Sequence, residues 1–120
     1  MVKKILVIDD SPLARRMLME ALVKQGYDVV TADDGAQGVK KAREETPDLV
    51  ITDTVMPGID GFEVCRQIKN RKDSVPPKVM IVTGTMDVVD AGKARKAGAD
   101  HYNIKTSDLT LILESVQKLI

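Results

Sequence analysis

Ile5-Leu6-Val7-Ile8-Asp9-Asp10-Ser11-Pro12 sets four apolar residues in an unbroken run, then two carboxylates, then a serine and a proline. A short, β-branched run without polar interruption reads as a strand covered on both faces. Ser11 before Pro12 reads as a helix start, because a serine hydroxyl accepts from an orphan first-turn amide and proline has no N–H to waste there. The residues that follow place Ala14, Met17, Leu18, Ala21 and Leu22 on one helical stripe, and Gly26 stands where that helix should stop. A doubly covered strand running straight into a helix is one step of an alternating α/β chain.

The same step recurs outward from this segment. Leu49-Val50-Ile51 and Val79-Met80-Ile81-Val82 are again short and wholly apolar, whereas Asp28-Val29-Val30-Thr31-Ala32 and Asp100-His101-Tyr102-Asn103-Ile104 mix polar residues into strand-like runs. The first kind suits central strands and the second half-exposed edges. The C-terminal stripe Leu109, Ile112, Leu113, Val116, Leu119, Ile120 reads as a closing helix. Five strands alternating with five helices predict a parallel sheet with right-handed crossovers and helices on both faces. With the second and fifth strands at the edges, the order is the flavodoxin-like 2-1-3-4-5. Asn70 to Pro77 reads as a loop, and the fourth helix is the weakest, since Gly84, Gly92 and Gly98 punctuate a segment whose apolar residues are mostly alanine.

The chain has 120 residues, 43% apolar and 30% charged, which predicts one domain over residues 1–120. Eighteen basic residues balance eighteen acidic ones, and Tyr27, Phe62 and Tyr102 are the only aromatics. This supplies neither the basic stripe nor the stacking platform of a nucleic-acid binder. The single cysteine, Cys65, cannot close an internal disulfide, and the first apolar run is far too short for a signal-peptide core or a spanning helix. A cytoplasmic location without membrane attachment is the expectation.

In an open parallel sheet, ligands bind beyond the carboxyl ends of the strands at the switch point, here between the first and third strands. The first strand ends in Asp9-Asp10, the third in Asp53, the fourth in Thr83 and the fifth in Lys105. Each has a plain structural use: Asp10 or Ser11 as a helix cap, Thr83 as a strand-end hydroxyl, Lys105 as a solvated lysine. Asp53 is harder to explain so, because an unpaired carboxylate closing a buried strand is costly. Three carboxylates in one cleft disfavour each other's ionised forms, so the cluster carries a proton or holds a cation. An all-oxygen donor set of few ligands suits Mg²⁺ better than Ca²⁺ or Zn²⁺.

With these residues in place, the chain resembles the CheY-like receiver domains of two-component response regulators over nearly its whole length. The resemblance rests on Asp9-Asp10, the run Asp53-Thr-Val-Met-Pro-Gly-Ile-Asp-Gly61, Val82-Thr83-Gly84, the turn Ala97-Gly98-Ala99-Asp100, and Tyr102 three residues before Lys105. It implies that Asp53 accepts a phosphoryl group from a histidine of a sensor kinase or phosphotransfer protein. Asp10, Asp53 and the backbone carbonyl of Val55 would coordinate Mg²⁺, with Asp9 helping through water. Thr83 would bond the phosphoryl oxygen and Lys105 neutralise it. Thr83 and Tyr102 would form the switch that alters the surface of the fourth helix, fifth strand and fifth helix, where an effector domain or protein docks. The domain would be a signalling phosphoacceptor that assists its own phosphorylation and dephosphorylation rather than an enzyme, monomeric or dimerising on phosphorylation. Its output would depend on whether it stands alone or belongs to a longer regulator.

The chain departs from the family pattern at Lys105-Thr106, where receivers usually carry a cis-bonded proline. A non-proline cis bond costs roughly 2.5–4 kcal/mol, so this loop either retains strain or runs trans. At the two positions that in this family influence access of the hydrolytic water, two residues after Asp53 and after Thr83, the chain has Val55 and Thr85, neither of which offers an acid or amide to hold that water. His101 and Cys65, each the only one of its kind, cannot assemble a zinc site or catalytic triad, and Met56, Met80 and Met86 read as packing. Tyr27 reads as a cover for the core edge, and Lys40-Lys41 with Arg43-Glu44-Glu45 as a solvated helix face.

Three other readings use the same residues. A flavodoxin-like FMN protein shares the fold but needs a phosphate loop where Asp9 and Asp10 would repel a phosphate. A haloacid dehalogenase-type enzyme needs an Asp-x-Asp pair that Asp9-Asp10-Ser11 does not provide. A degenerate receiver would serve as an unphosphorylated interaction module, and its failure to take phosphate from a small donor would distinguish it.

Overall fold

The computed structural model describes residues 2–72, 74–84, 88–105 and 108–120, apart from the side chains of Val88 and Val89. Thr85, Met86 and Thr106, singled out above, lie outside the described residues, and with Thr106 the geometry of the Lys105-Thr106 bond. The elements run β1 (Lys4–Ile8), α1 (Pro12–Lys24), β2 (Asp28–Ala32), α2 (Gly35–Glu45), β3 (Leu49–Asp53), α3 (Gly61–Lys69), β4 (Lys78–Thr83), α4 (Val88–Lys96), β5 (His101–Ile104) and α5 (Thr110–Leu119). All strand pairs are parallel, in the order β2-β1-β3-β4-β5. The flavodoxin-like topology is the one expected.

Strand periodicity divides the core. Leu6, Ile8, Val50, Val79 and Ile81 face the layer containing α2, α3 and α4, where they meet Val64, Cys65, Ile68 and Ala94. Their neighbours Ile5, Val7, Leu49, Ile51, Met80 and Val82 point to the opposite face and meet Leu18 and Leu22 of α1 with Ile112 and Val116 of α5. Each fully buried leucine or isoleucine contributes roughly 1.5–3 kcal/mol, so the three central strands anchor both layers. The edge strands β2 and β5 are only partly covered, as their mixed composition predicted.

Local chemistry sets the boundaries. The Ser11 hydroxyl accepts from the Ala14 amide at 3.3 Å, so Ser11 rather than Asp10 caps α1. Gly26, just past the end of that helix, has φ +95°, a conformation costly for any residue with a Cβ. Met56 and Met80 are buried packing residues, and Tyr27 packs against the edge of the α1/α5 core. The basic and acidic run on α2 is less uniformly solvated than its composition suggests. Lys40, Arg43 and Glu44 are exposed, but Lys41 donates to the Thr31 carbonyl and Glu45 pairs with Lys4 at 3.3 Å. These two reach sideways because α2 leans over β1 and β2. A helix does form over Val88–Lys96 despite Gly92, with Ala94 buried.

Candidate functional site

A parallel sheet delivers the carboxyl ends of all its strands to one edge. Ile8 of β1 lies beside Thr52, Asp53 of β3 beside Val82, and Thr83 of β4 beside Ile104. The next residues along β1 and β5 are therefore Asp9 and Lys105, and both turn into the same space as Asp53. The Lys105 ammonium is 2.5 Å from Asp9 Oδ2 and 3.4 Å from Asp53 Oδ2. Oxygens of Asp9, Asp10 and Asp53 lie within 4.8 Å of one another. A pocket of about 380 Å³ opens over Asp53 and Lys105, walled by Thr54, Val55, Thr83, Gly84 and Asp90.

Asp9 is held at every polar atom. Its amide donates to the Ala32 carbonyl at 3.2 Å and its own carbonyl accepts from Arg15 Nη1 at 2.7 Å. Oδ1 accepts from the Ser11 amide at 2.9 Å, and Oδ2 faces Lys105. Asp10 is exposed, and its carboxylate makes no hydrogen bond among the described residues, which leaves its oxygens available to an ion. Asp53 is half-buried; its Oδ1 accepts from the Thr54 amide at 2.8 Å, while Oδ2 is turned toward Lys105. The backbone of Lys105 is itself fixed by donation to the Thr83 carbonyl at 2.5 Å. Thr83 is buried, with its hydroxyl 3.4 Å from that of Thr54. Val55, at 79% exposed, projects its side chain into solvent. Tyr102 is half-buried against the core on the α4 side of the sheet.

Burial raises the Asp53 pKa; the Lys105 charge opposes that rise and the Asp9 charge adds to it. For Lys105 burial disfavours the ammonium, but its bonds and charge contacts with Asp9 and Asp53 outweigh burial, and its pKa is raised. The chain thus supplies one cation of its own to the carboxylate cluster, and Asp53 remains harder to ionise than a free aspartate. An added divalent cation would relieve that strain. The donor set of three carboxylates within reach of one another fits Mg²⁺, a hard cation that binds through a few carboxylates and keeps much of its water.

The sequence-predicted Asp9, Asp10, Asp53, Thr83 and Lys105 all gather here, whereas Tyr102 stands apart on the α4 side of β5. Thr54, Arg15 and Asp90 also belong to the surroundings, though the sequence reading gave none of them a role. Arg15 sits one helical turn beyond Ser11, a spacing that could have flagged it. Nothing in the sequence distinguishes Thr54, whose amide and hydroxyl both point inward.

A family model described as the response regulator receiver domain matches residues 5–117. The chain belongs to this family. As a receiver, it is 35% identical over 117 residues to the protein PilH of Pseudomonas aeruginosa, covering 98% of this chain and 97% of PilH. It is 42% identical over 101 residues to the transcriptional regulatory protein AfsQ1 of Streptomyces coelicolor, covering 84% of this chain and 44% of AfsQ1. The receiver thus spans less than half the length of some relatives and nearly all of another. Among solved structures it resembles the response regulator TrrA of Thermotoga maritima in complex with Mg²⁺ and BeF, with 36% identity, a TM-score of 0.89 and coverage of 99% and 100% of the two chains. The chemotaxis response regulator CheY4 of Vibrio cholerae superposes with a TM-score of 0.92 at 26% identity, covering both chains fully. No helix among the described residues is long and apolar enough to cross a membrane.

Proposed function

We propose that this receiver takes a phosphoryl group onto Asp53 from a phosphohistidine of a sensor kinase or phosphotransfer protein, in a Mg²⁺-dependent reaction. The observation that carries the reading is the meeting of three carboxylates and one ammonium at the carboxyl edge of the sheet. With Oδ1 engaged by the Thr54 amide, Oδ2 of Asp53 is the attacking oxygen. It forms the new O–P bond as the P–N bond breaks, and the electron pair leaves with the imidazole. Phosphoryl transfer depends on positioning and on neutralising the transferred oxygens. Lys105, pre-aimed by Asp9, supplies one positive charge, and Thr83 can turn its hydroxyl from Thr54 to a phosphoryl oxygen. Asp10, Asp53 and the Val55 carbonyl would hold Mg²⁺, with Asp9 acting through water, and the ion would supply further charge neutralisation. Incubation with acetyl phosphate and Mg²⁺ should add the mass of one phosphoryl group; no increment would favour the unphosphorylated interaction module.

Metal binding has a separate signature. A ligand that binds only the folded state stabilises it by RT ln(1 + [L]/Kd), about 1.4 kcal/mol at ten times Kd. Millimolar Mg²⁺ should raise the melting temperature by several degrees, and Asp10→Ala should remove most of that rise. Identical melts with Mg²⁺ and with chelator would count against the site.

The output we assign to the face formed by α4, β5 and α5, where an effector domain or protein would dock. The domain would act in the cytoplasm as a monomer or as a phosphorylation-dependent dimer, assisting its own phosphorylation and dephosphorylation. A phosphate shifts this face only by bonding better in one state than the other. Motion of Thr83 toward the phosphate would vacate space beside β4 that Tyr102, on the neighbouring strand, could enter. Thr83→Ala should therefore still gain the phosphoryl group but lose the hydrogen-exchange change over α4, β5 and α5. An exchange change confined to α1 and α2 in the unaltered chain would refute this route.

A further inference from the structure

A second cavity, of about 220 Å³, lies beneath the phosphoacceptor pocket between α1, α5 and the sheet. Its walls are Val7, Ile51 and Val82 from the strands, Ala14, Met17 and Leu18 from α1, and Leu109 and Ile112 at the start of α5; Asp9, Asp53 and Lys105 meet it at one end. The void follows from composition. Phe62 and Tyr102 both pack on the opposite face of the sheet, and Tyr27 precedes β2, at the far edge from the strands' carboxyl ends. No aromatic ring is therefore left for this end of the α1/α5 layer, which is lined by alanine, methionine and branched aliphatic residues.

We propose that this cavity is a binding site for a small, neutral, apolar molecule of single-ring size, seated between α1 and α5 against Lys105. The walls are apolar apart from the charged end, where Asp9 and Lys105 already satisfy one another. A charged ligand would gain little there, and a water needs two to four polar partners, which most of the lining does not offer. Apolar cavities of about 150 Å³ remain dry and take up benzene, so this volume is sufficient for one ring. Met17 is 44% exposed, which gives an entrant a flexible thioether to displace rather than a packed wall. The site does not depend on phosphorylation, and its test does not use it.

Benzene is the probe. Titrated into the full chain, it should shift the methyl resonances of Met17, Leu18 and Ile112 and the methylenes of Lys105 together along one saturable curve. Ala14→Leu places a larger side chain in the void and should weaken binding at least about ten-fold. Val82→Ile fills from the sheet side and provides the same comparison if Ala14→Leu does not fold. Absence of saturable shifts overturns the proposal. So do shifts centred on exposed Leu13 or Val23, or equal affinity in a folded cavity-filled variant.

Discussion

Asp53→Asn should gain no phosphoryl mass from acetyl phosphate and Mg²⁺, where the unaltered receiver gains one, and should melt above the unaltered chain when both are held in chelator. The first outcome follows from removing the nucleophile while keeping its size. The second follows from the electrostatics of the empty cluster. Burial, with Asp9 adding to it, raises the Asp53 pKa despite the opposing charge of Lys105, so the folded state binds a proton more tightly than the unfolded chain does. As pH rises from below the unfolded value through the folded one, Asp53 ionises at a growing cost to folding, and the penalty is fully present once pH passes the folded value. Asparagine carries no charge and pays no such penalty. The stability gap between the two proteins should therefore widen as pH rises from the unfolded to the folded value of Asp53 and level off above it. Mg²⁺ should narrow or reverse it, because only the aspartate offers the ion a charge. An Asn variant that still acquired a hydroxylamine-sensitive phosphate would exclude Asp53 as the sole acceptor. One that was less stable than the parent in chelator would show that Lys105 overcompensates the burial.

The parts of this architecture legible in the sequence are those encoded by neighbours along the chain. Unbroken apolar runs marked β1, β3 and β4, mixed runs marked β2 and β5, and Ser11-Pro12 and Gly26 bounded α1 to within a residue. The strand-end carboxylates were legible because parallel topology alone brings the ends of strands together. What could not be read was the pairing inside that cluster. Lys105 bonds Asp9 more closely than Asp53, and this depends on how the β5 end hangs from the Thr83 carbonyl, a contact between residues 22 positions apart. The sideways reach of Lys41 and Glu45 was hidden for the same reason, since helical spacing gives the face of a helix but not its lean over the sheet. The void between α1 and α5 is likewise a sum over residues distant in sequence, from Val7 to Ile112.

Gly61→Ala should lower stability by about 3 kcal/mol, close to 10 °C in melting temperature for a chain of this size, and should also impair phosphoryl gain. The glycine is required by approach rather than by backbone conformation. A Cβ at position 61 would collide with the Asp53 carbonyl oxygen and stand 2.9 Å from the Asp53 carbonyl carbon and 3.0 Å from Thr54 Cα. These are backbone atoms that no rotamer change can move. They are also tied to Gly61 itself, whose amide donates to the Thr54 carbonyl at 2.9 Å, while Asp60 caps the helix through the Glu63 amide at 2.9 Å. Relief therefore demands that α3 retreat from the sheet or that the Asp53-Thr54 backbone shift. The second movement disturbs the amide that fixes Asp53 Oδ1 and re-aims Oδ2 away from Lys105. Gly58→Ala in the same loop is the control. Gly58 has φ +81° but no atom within 4 Å of a new Cβ, so alanine there carries only the conformational cost of about 1 kcal/mol and leaves Asp53 in place. Thermal melts and acetyl phosphate labelling of the two variants separate the cases. Equal stability loss and equal labelling in both would mean that the 54–61 loop yields freely and does not hold the nucleophile.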